Sequence, residues 1–198
     1  MAGLYLRSGG AGETTYLLLH GLGATGEVWG GLADLIDRNK AGRWLVPDFR
    51  GHGRSPWEKP YTYAALMADL IPLINEASRL VVIGHSRGGV VGLMLGGALP
   101  NVERVLGMGI KVNWNEVELE QMQALSTQPV RWWATQAEAV ERYLKVSGLI
   151  GLVNPDSPTA QCGVVAGDNG HYRLAADLAI YGVGQPPVAE RVRPHAAR

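Results

Sequence analysis

Apolar residues recur along this chain at two different spacings. Short runs of strand length and composition stand at 14–19, 44–46, 80–83 and 102–110. Between them the spacing lengthens to three and four residues. Trp29, Leu32, Leu35 and Ile36 fit one face of a helix, as do Leu66, Leu70, Leu73 and Ile74 in a helix over 63–77 with Pro72 as its weak point. A third stretch, apolar throughout, runs from Gly89 to Leu99 ahead of Pro100. Strands alternating with helices at this rhythm predict an α/β protein: a mostly parallel, twisted sheet with helices on both faces.

After Ile110 the pattern changes. Residues 115–148 read as helical, and Thr135-Gln136-Ala137-Glu138 forms a capping box ahead of Ala139, Val140, Tyr143, Leu144 and Val146. Asp168-Asn169-Gly170 is a hairpin turn between 162–166 and 171–174. Residues 182–187 read as loop, and 188–192 fit a short helix cut off by Pro194.

Composition narrows the classes. The chain has 198 residues, 46% apolar and 18% charged, with a formal net charge of +0. That balance suits a globular domain and leaves no electrostatic footprint for nucleic acid or anionic lipid. The longest apolar run, near 90–99, is too short to span a bilayer, and the first residues lack a basic segment followed by an apolar core. Cys162 is the single cysteine, which excludes an internal disulfide and a C-x-x-C pair and fits a reducing, cytoplasmic setting. No metal-ligand spacing is present and no G-x-G-x-x-G follows a strand, so neither metal nor cofactor is expected.

The chemistry concentrates at Gly84-His85-Ser86-Arg87-Gly88. An apolar strand precedes it and a helix-length apolar run follows. A serine flanked by glycines at a strand-to-helix turn is a nucleophile elbow. The turn holds the serine backbone strained, lifts its hydroxyl clear of the sheet, and aims the next backbone N–H at a reacting carbonyl. The five letters alone are weak in a chain with 27 glycines, and the flanking elements give them weight.

Four features lie in the order of the α/β-hydrolase fold. They are the His20-Gly21-Leu22-Gly23 turn, the Asp48-Phe49-Arg50-Gly51-His52-Gly53-Arg54-Ser55 loop, the elbow around Ser86, and the helical insertion after the next strand. The chain resembles that family over nearly its whole length, and the D-x-R-G-x-G-x-S loop is the most discriminating part. The resemblance implies a core over 1–111, a mainly helical cap inserted over 112–185, the start of a return to the core over 186–198, and a serine hydrolase acting on a small, largely apolar ester or related carbonyl compound. Ser86 would form the acyl-enzyme, and the backbone N–H groups of Leu22 and Arg87 would form the oxyanion hole. His20 and His52 would brace their loops. His85 would line the pocket floor, and Trp132 and Trp133 would line the pocket from a cap that also holds Trp114, Tyr143, Tyr172 and Tyr181.

The family order is Ser, then Asp or Glu, then His. Here the family's seventh and eighth strands, which usually carry the acid and the histidine, are not found before Arg198, and the sequence reads as truncated. Asn113 stands where some members place an acid. Glu116 and Glu118 suit a helix start, Asp168 suits a turn, and Asp177 suits a cap. His171 and His195 are weak candidates for the base. The alternative is therefore a catalytically impaired homologue or binding module. Beyond a small-molecule substrate, the strand over 102–110 would lie at a sheet edge and invite a second copy or another chain.

Overall fold

Strand-forming runs pair side by side in the computed structural model, which describes residues 3–111, 113–168 and 170–187. Five strands, β1 (Leu6–Gly10), β2 (Thr14–Leu19), β3 (Arg43–Pro47), β4 (Arg79–His85) and β5 (Val102–Met108), form one sheet in the order β1-β3-β2-β4-β5. β2 to β5 run parallel, and β1 alone is antiparallel, with Leu6 opposite Pro47 and Gly10 opposite Arg43. The expected α/β architecture is the observed one.

Alternation along β2 assigns the two faces. Leu17 and Leu19 point one way, into a core with Leu80 and Val82 of β4, Leu66, Leu70 and Ile74 of α2 (Tyr63–Ile74), and Val91 and Leu95 of α3 (Arg87–Ala98). Leu18 points the other way, toward Trp29, Trp44 and Val46, and toward Ala33 and Ile36 of α1 (Gly30–Arg38). Successive side chains on opposite faces are what the pleat requires. Fully burying each such side chain contributes about 1.5–3 kcal/mol. Leu35, expected on the buried face of α1, is instead 48% exposed, and Ala33 takes its place.

β1 has no signature in its Leu6-Arg7-Ser8-Gly9-Gly10 sequence, because packing selects these residues. A Cβ at Gly9 would strike the Trp44 indole, so the glycine lets the ring lie against the strand. Arg7 covers that ring from 5.9 Å.

The stretch 115–148, helical by sequence, holds two helices, α4 (Glu116–Ser126) and α5 (Gln136–Val146), the second starting at the capping box expected at Thr135. Each starts at a capping box, Asn115 with Glu118 and Thr135 with Glu138. Between them Trp133 pairs with Tyr172, amide to carbonyl at 2.8 and 2.9 Å, which draws the chain out of helix. After α5 come the short α6 (Pro158–Gln161) and the hairpin β6 (Val164–Ala166) and β7 (Tyr172–Leu174). Val140, Tyr143, Leu144 and Ala160 form a small second core. Asn169 of the hairpin turn, the helix expected over 188–192 and His195 lie outside the described residues.

A strap, residues 175–184, returns from the hairpin to the sheet. The Gly53 amide donates to the Ala175 carbonyl at 2.6 Å, and the Asp177 amide donates to the Gly51 carbonyl at 2.9 Å. The Tyr61 hydroxyl donates to the Asp177 carboxylate, which also accepts from the Ala179 amide. Beyond Asp177 the strap makes a short 3-10 segment, Leu178–Val183. At the far side of the sheet β5 pairs only with β4 among the described residues, leaving Leu106 54% exposed. No helix among the described residues is long and apolar enough to cross a membrane.

Candidate active site

β4 ends and α3 begins with one residue between them. Ser86 is that residue, the N-cap of α3, with φ 49° and ψ −115°. This left-handed backbone is strained for a residue carrying a Cβ and persists only where its surroundings impose it. The Ser86 amide donates to the Met108 carbonyl at 2.7 Å, and its carbonyl accepts from the Val90 amide at 3.1 Å. The flanking glycines follow from close approach. A Cβ at Gly84 would run into the Gly88 carbonyl group, and one at Gly88 would run into the carbonyls of Leu19 and His20. The G-x-S-x-G spacing is therefore a packing requirement among β2, β4 and α3.

The topology places this turn at a crevice. The chain leaves β2 for β3 on one side, while β4 leads to β5 on the other, so connections part beyond the C-terminal ends of β2 and β4. There Ser86, Leu22 and Arg87 share a cavity of about 340 Å³. The Arg87 amide occupies the first position of α3, where no helical carbonyl is available to it and the positive end of the helix dipole lies. Tyr63 of α2 and Val90 of α3 line the cavity as well. Leu119 and Met122 of α4 also line it, together with Trp114 and Tyr181. Size and mostly apolar lining suit a small apolar molecule.

The D-x-R-G-x-G-x-S loop holds the neighbouring parts together. Asp48 is buried and accepts from the Gly26 amide at 2.6 Å and the Arg54 amide at 2.9 Å. Gly53 leaves room for that carboxylate, which a Cβ would strike. Arg50 makes a two-pronged ion pair with Asp69 of α2. The Ser55 hydroxyl donates to the Asp48 carbonyl at 2.6 Å and accepts from the Tyr5 amide at 2.9 Å.

His20 and His52 are completely buried beside this loop. The Phe49 amide donates to His20 Nε2 at 2.9 Å, so the ring proton sits on Nδ1 and is donated to the Gly21 carbonyl at 2.8 Å. His52 Nδ1 lies 3.1 Å from the Arg50 carbonyl, and its Nε2 is buried without a partner among the described residues. Burial pulls both imidazoles below their ordinary range. The Asp48 charge partly offsets this at His20, whereas nearby His20 and Arg87 push His52 down further. These contacts hold both rings against the loops that carry them, and burial favours their neutral forms.

Three residues expected in the pocket stand elsewhere. His85 is exposed, its ring lies against Gly21 and Gly109, and it does not line the cavity. Trp132 is 40% exposed, and Trp133 is held in its pairing with Tyr172; neither lines the cavity. The expectation placed both tryptophans on a helix, and the break between α4 and α5 removes that premise. Aromatic lining comes instead from Tyr63, Trp114 and Tyr181. Tyr63 had no distinguishing signal in the sequence, since it reads as an ordinary first-turn residue of α2.

Other chemistry is weaker. Burial pushes the Cys162 thiol up to about 11, and it lies 3.0 Å from the Thr25 hydroxyl, so it is a poor rival nucleophile. Among the described residues no group of three or more His, Cys, Asp or Glu is placed to hold a metal. None of the described cavity-lining residues is a histidine. Glu118, weighed above as an acid, is committed to its capping box and to Lys111.

Comparison with known proteins fits this geometry. The chain is 36% identical to the lipase LipV of Mycobacterium tuberculosis over 97 residues, 48% of this chain and 36% of that protein. It is 32% identical to a pimeloyl-[acyl-carrier protein] methyl ester esterase of Edwardsiella ictaluri over 108 residues, 54% of this chain and 40% of that protein. The matched stretches thus span little more than a third of these relatives. Among solved structures, the thioesterase domain from the curacin biosynthetic pathway superposes with a TM-score of 0.75 at 22% identity, covering 91% of this chain and 70% of that one. A marine microorganism esterase superposes with a TM-score of 0.69 at 20% identity, covering 93% and 74%. The model of the alpha/beta hydrolase family matches residues 16–194, and the chain belongs to that family.

Proposed function

We propose that the chain carries the nucleophile and oxyanion hole of an ester hydrolase for a small, largely apolar acyl group. The observation that carries this reading is Ser86, held at φ 49° in a turn too tight for any residue but glycine at 84 and 88 and opening on the 340 Å³ cavity. In the reaction the Ser86 Oγ attacks the ester carbonyl carbon and passes its proton to a base. The amides of Leu22 and Arg87 donate to the resulting oxyanion, and collapse expels the alcohol, which takes up the proton. Water then releases the acid from the acyl-serine by the same route. Each such amide commonly contributes about 3 kcal/mol to the transition state.

The segment 112–185 acts as the cap in this reading. The single cysteine, Cys162, half-buried with its thiol protonated, suits a reducing, cytoplasmic setting. The open edge of β5 is the place where a second copy or another chain adds strands. One observation favours a second reading, a binding module: no described residue lining the cavity is a histidine able to take the Ser86 proton. A fluorophosphonate separates the two. Covalent labelling of Ser86 within minutes, absent in Ser86→Ala, supports the hydrolase. A wild-type chain labelled no faster than Ser86→Ala supports the binding module.

A further inference from the structure

Arg87 is needed at the oxyanion hole only for its amide, yet its side chain is buried, with 5% of its surface exposed. Nη2 donates to the Ile180 carbonyl at 2.7 Å, a bond joining residues 93 apart in sequence. The guanidinium carbon lies 5.9 Å over the Tyr63 ring, and Nη1 is buried without a partner among the described residues. Burial works against the charge, and only the neighbouring Tyr63 and Tyr181 favour it. A buried cation with no carboxylate costs stability. A packed methionine would avoid that cost; what it lacks is a donor for the Ile180 carbonyl.

That carbonyl sits at a critical point of the strap. Residues 175–179 are pinned to the loop after β3 and to Tyr61, whereas Tyr181, Gly182, Gly184 and Pro186 line the cavity. Gly182 in turn lies against α4. A Cβ there would stand 2.8 Å from the Ser126 hydroxyl and 3.3 Å from Gln123 Oε1. Leu119 and Met122 of the same helix line the cavity too. One side chain therefore links the turn holding Ser86 to the strap, and the strap links it to α4.

We propose that the Arg87 side chain is a positioning residue, a latch that fixes the strap and α4 against the Ser86 turn and so sets the acyl length the cavity accepts. Only its selectivity consequence rests on the hydrolase reading above. The test compares wild type with Arg87→Met, Arg87→Gln and Arg87→Lys. Glutamine is too short for the Ile180 carbonyl and serves if the methionine variant does not fold; lysine keeps a donor within reach.

Hydrogen exchange of the intact chain reads the latch directly. In the methionine or glutamine variant, amides over 177–183 exchange about tenfold faster while those of β2 and β4 are unchanged, and lysine recovers most of the protection. Unchanged exchange in the strap, or an equal rise throughout the sheet, overturns the latch. Labelling by ethyl and octyl fluorophosphonates reads selectivity. The ratio of the two labelling rates shifts about tenfold on losing the latch and returns with lysine. A ratio that does not move overturns the assignment of acyl length to Arg87. If neither probe labels the wild type, the nucleophile reading fails, and the exchange experiment alone decides the latch.

Discussion

His52 shows how a single residue of a loop motif becomes a liability in acid. Its ring is completely buried, and its pKa is held well below 6.5 by burial and by nearby His20 and Arg87. Below about pH 6.5 the unfolded chain binds a proton that the folded chain does not. Stability is therefore full above that value and falls as pH drops, by about 1.4 kcal/mol per pH unit until the folded ring itself titrates. His20, also lowered, adds to the same slope. Urea unfolding at pH 7.5 and 5.5 measures it, and in His52→Gln the slope lessens by about one proton. Equal slopes in the two proteins would remove His52 from the account. At this scale the motif letters were legible and their partners were not. D-x-R-G-x-G-x-S announced a loop, but nothing in it announced that Asp48 would bind the Gly26 amide or that Arg50 would reach Asp69. The Arg87 side chain was equally silent, because its partner carbonyl lies 93 residues away.

Elements were legible where periodicity was strong. β2, β4, α2 and α3 carry long apolar patterns, and those patterns end close to the observed bounds. β1 is not legible because glycines and serine replace the apolar alternation, and its pairing with β3 is decided by space beside Trp44. The composition over 115–148 favours helix throughout, whereas the extended pairing of Trp133 with Tyr172 is a tertiary event. β5 carries the element-scale prediction. Leu106 is 54% exposed and Met108 39% exposed on a strand paired only on one side among the described residues. Such an edge accepts another strand. Sedimentation should show mass rising with concentration up to about 100 µM, and Leu106→Lys should weaken that association about tenfold or more. A wild-type chain that stays monomeric over this range contradicts the proposed edge pairing.

For the whole molecule, the sheet order explains why the site sits where it does. Two strands whose connections diverge leave a crevice at their C-terminal ends, and the sequence places His20-Gly21-Leu22 at one end and Ser86 at the other. The strap and α4 then close the crevice into a cavity. Fold class and the location of the turn were readable because they follow from local pattern. The cavity lining was not, since it is contributed by α2, α4 and the strap from positions far apart in sequence. An oxyanion on an acyl-serine at residue 86 is expected to meet two main-chain amides. A crystal structure of the chain after reaction with a small alkyl fluorophosphonate tests it most directly. The expected adduct has phosphorus bonded to Ser86 Oγ, with its free oxygen about 2.7–3.1 Å from the amide nitrogens of both Leu22 and Arg87. An adduct on another residue, or an oxygen turned away from both amides, would contradict it.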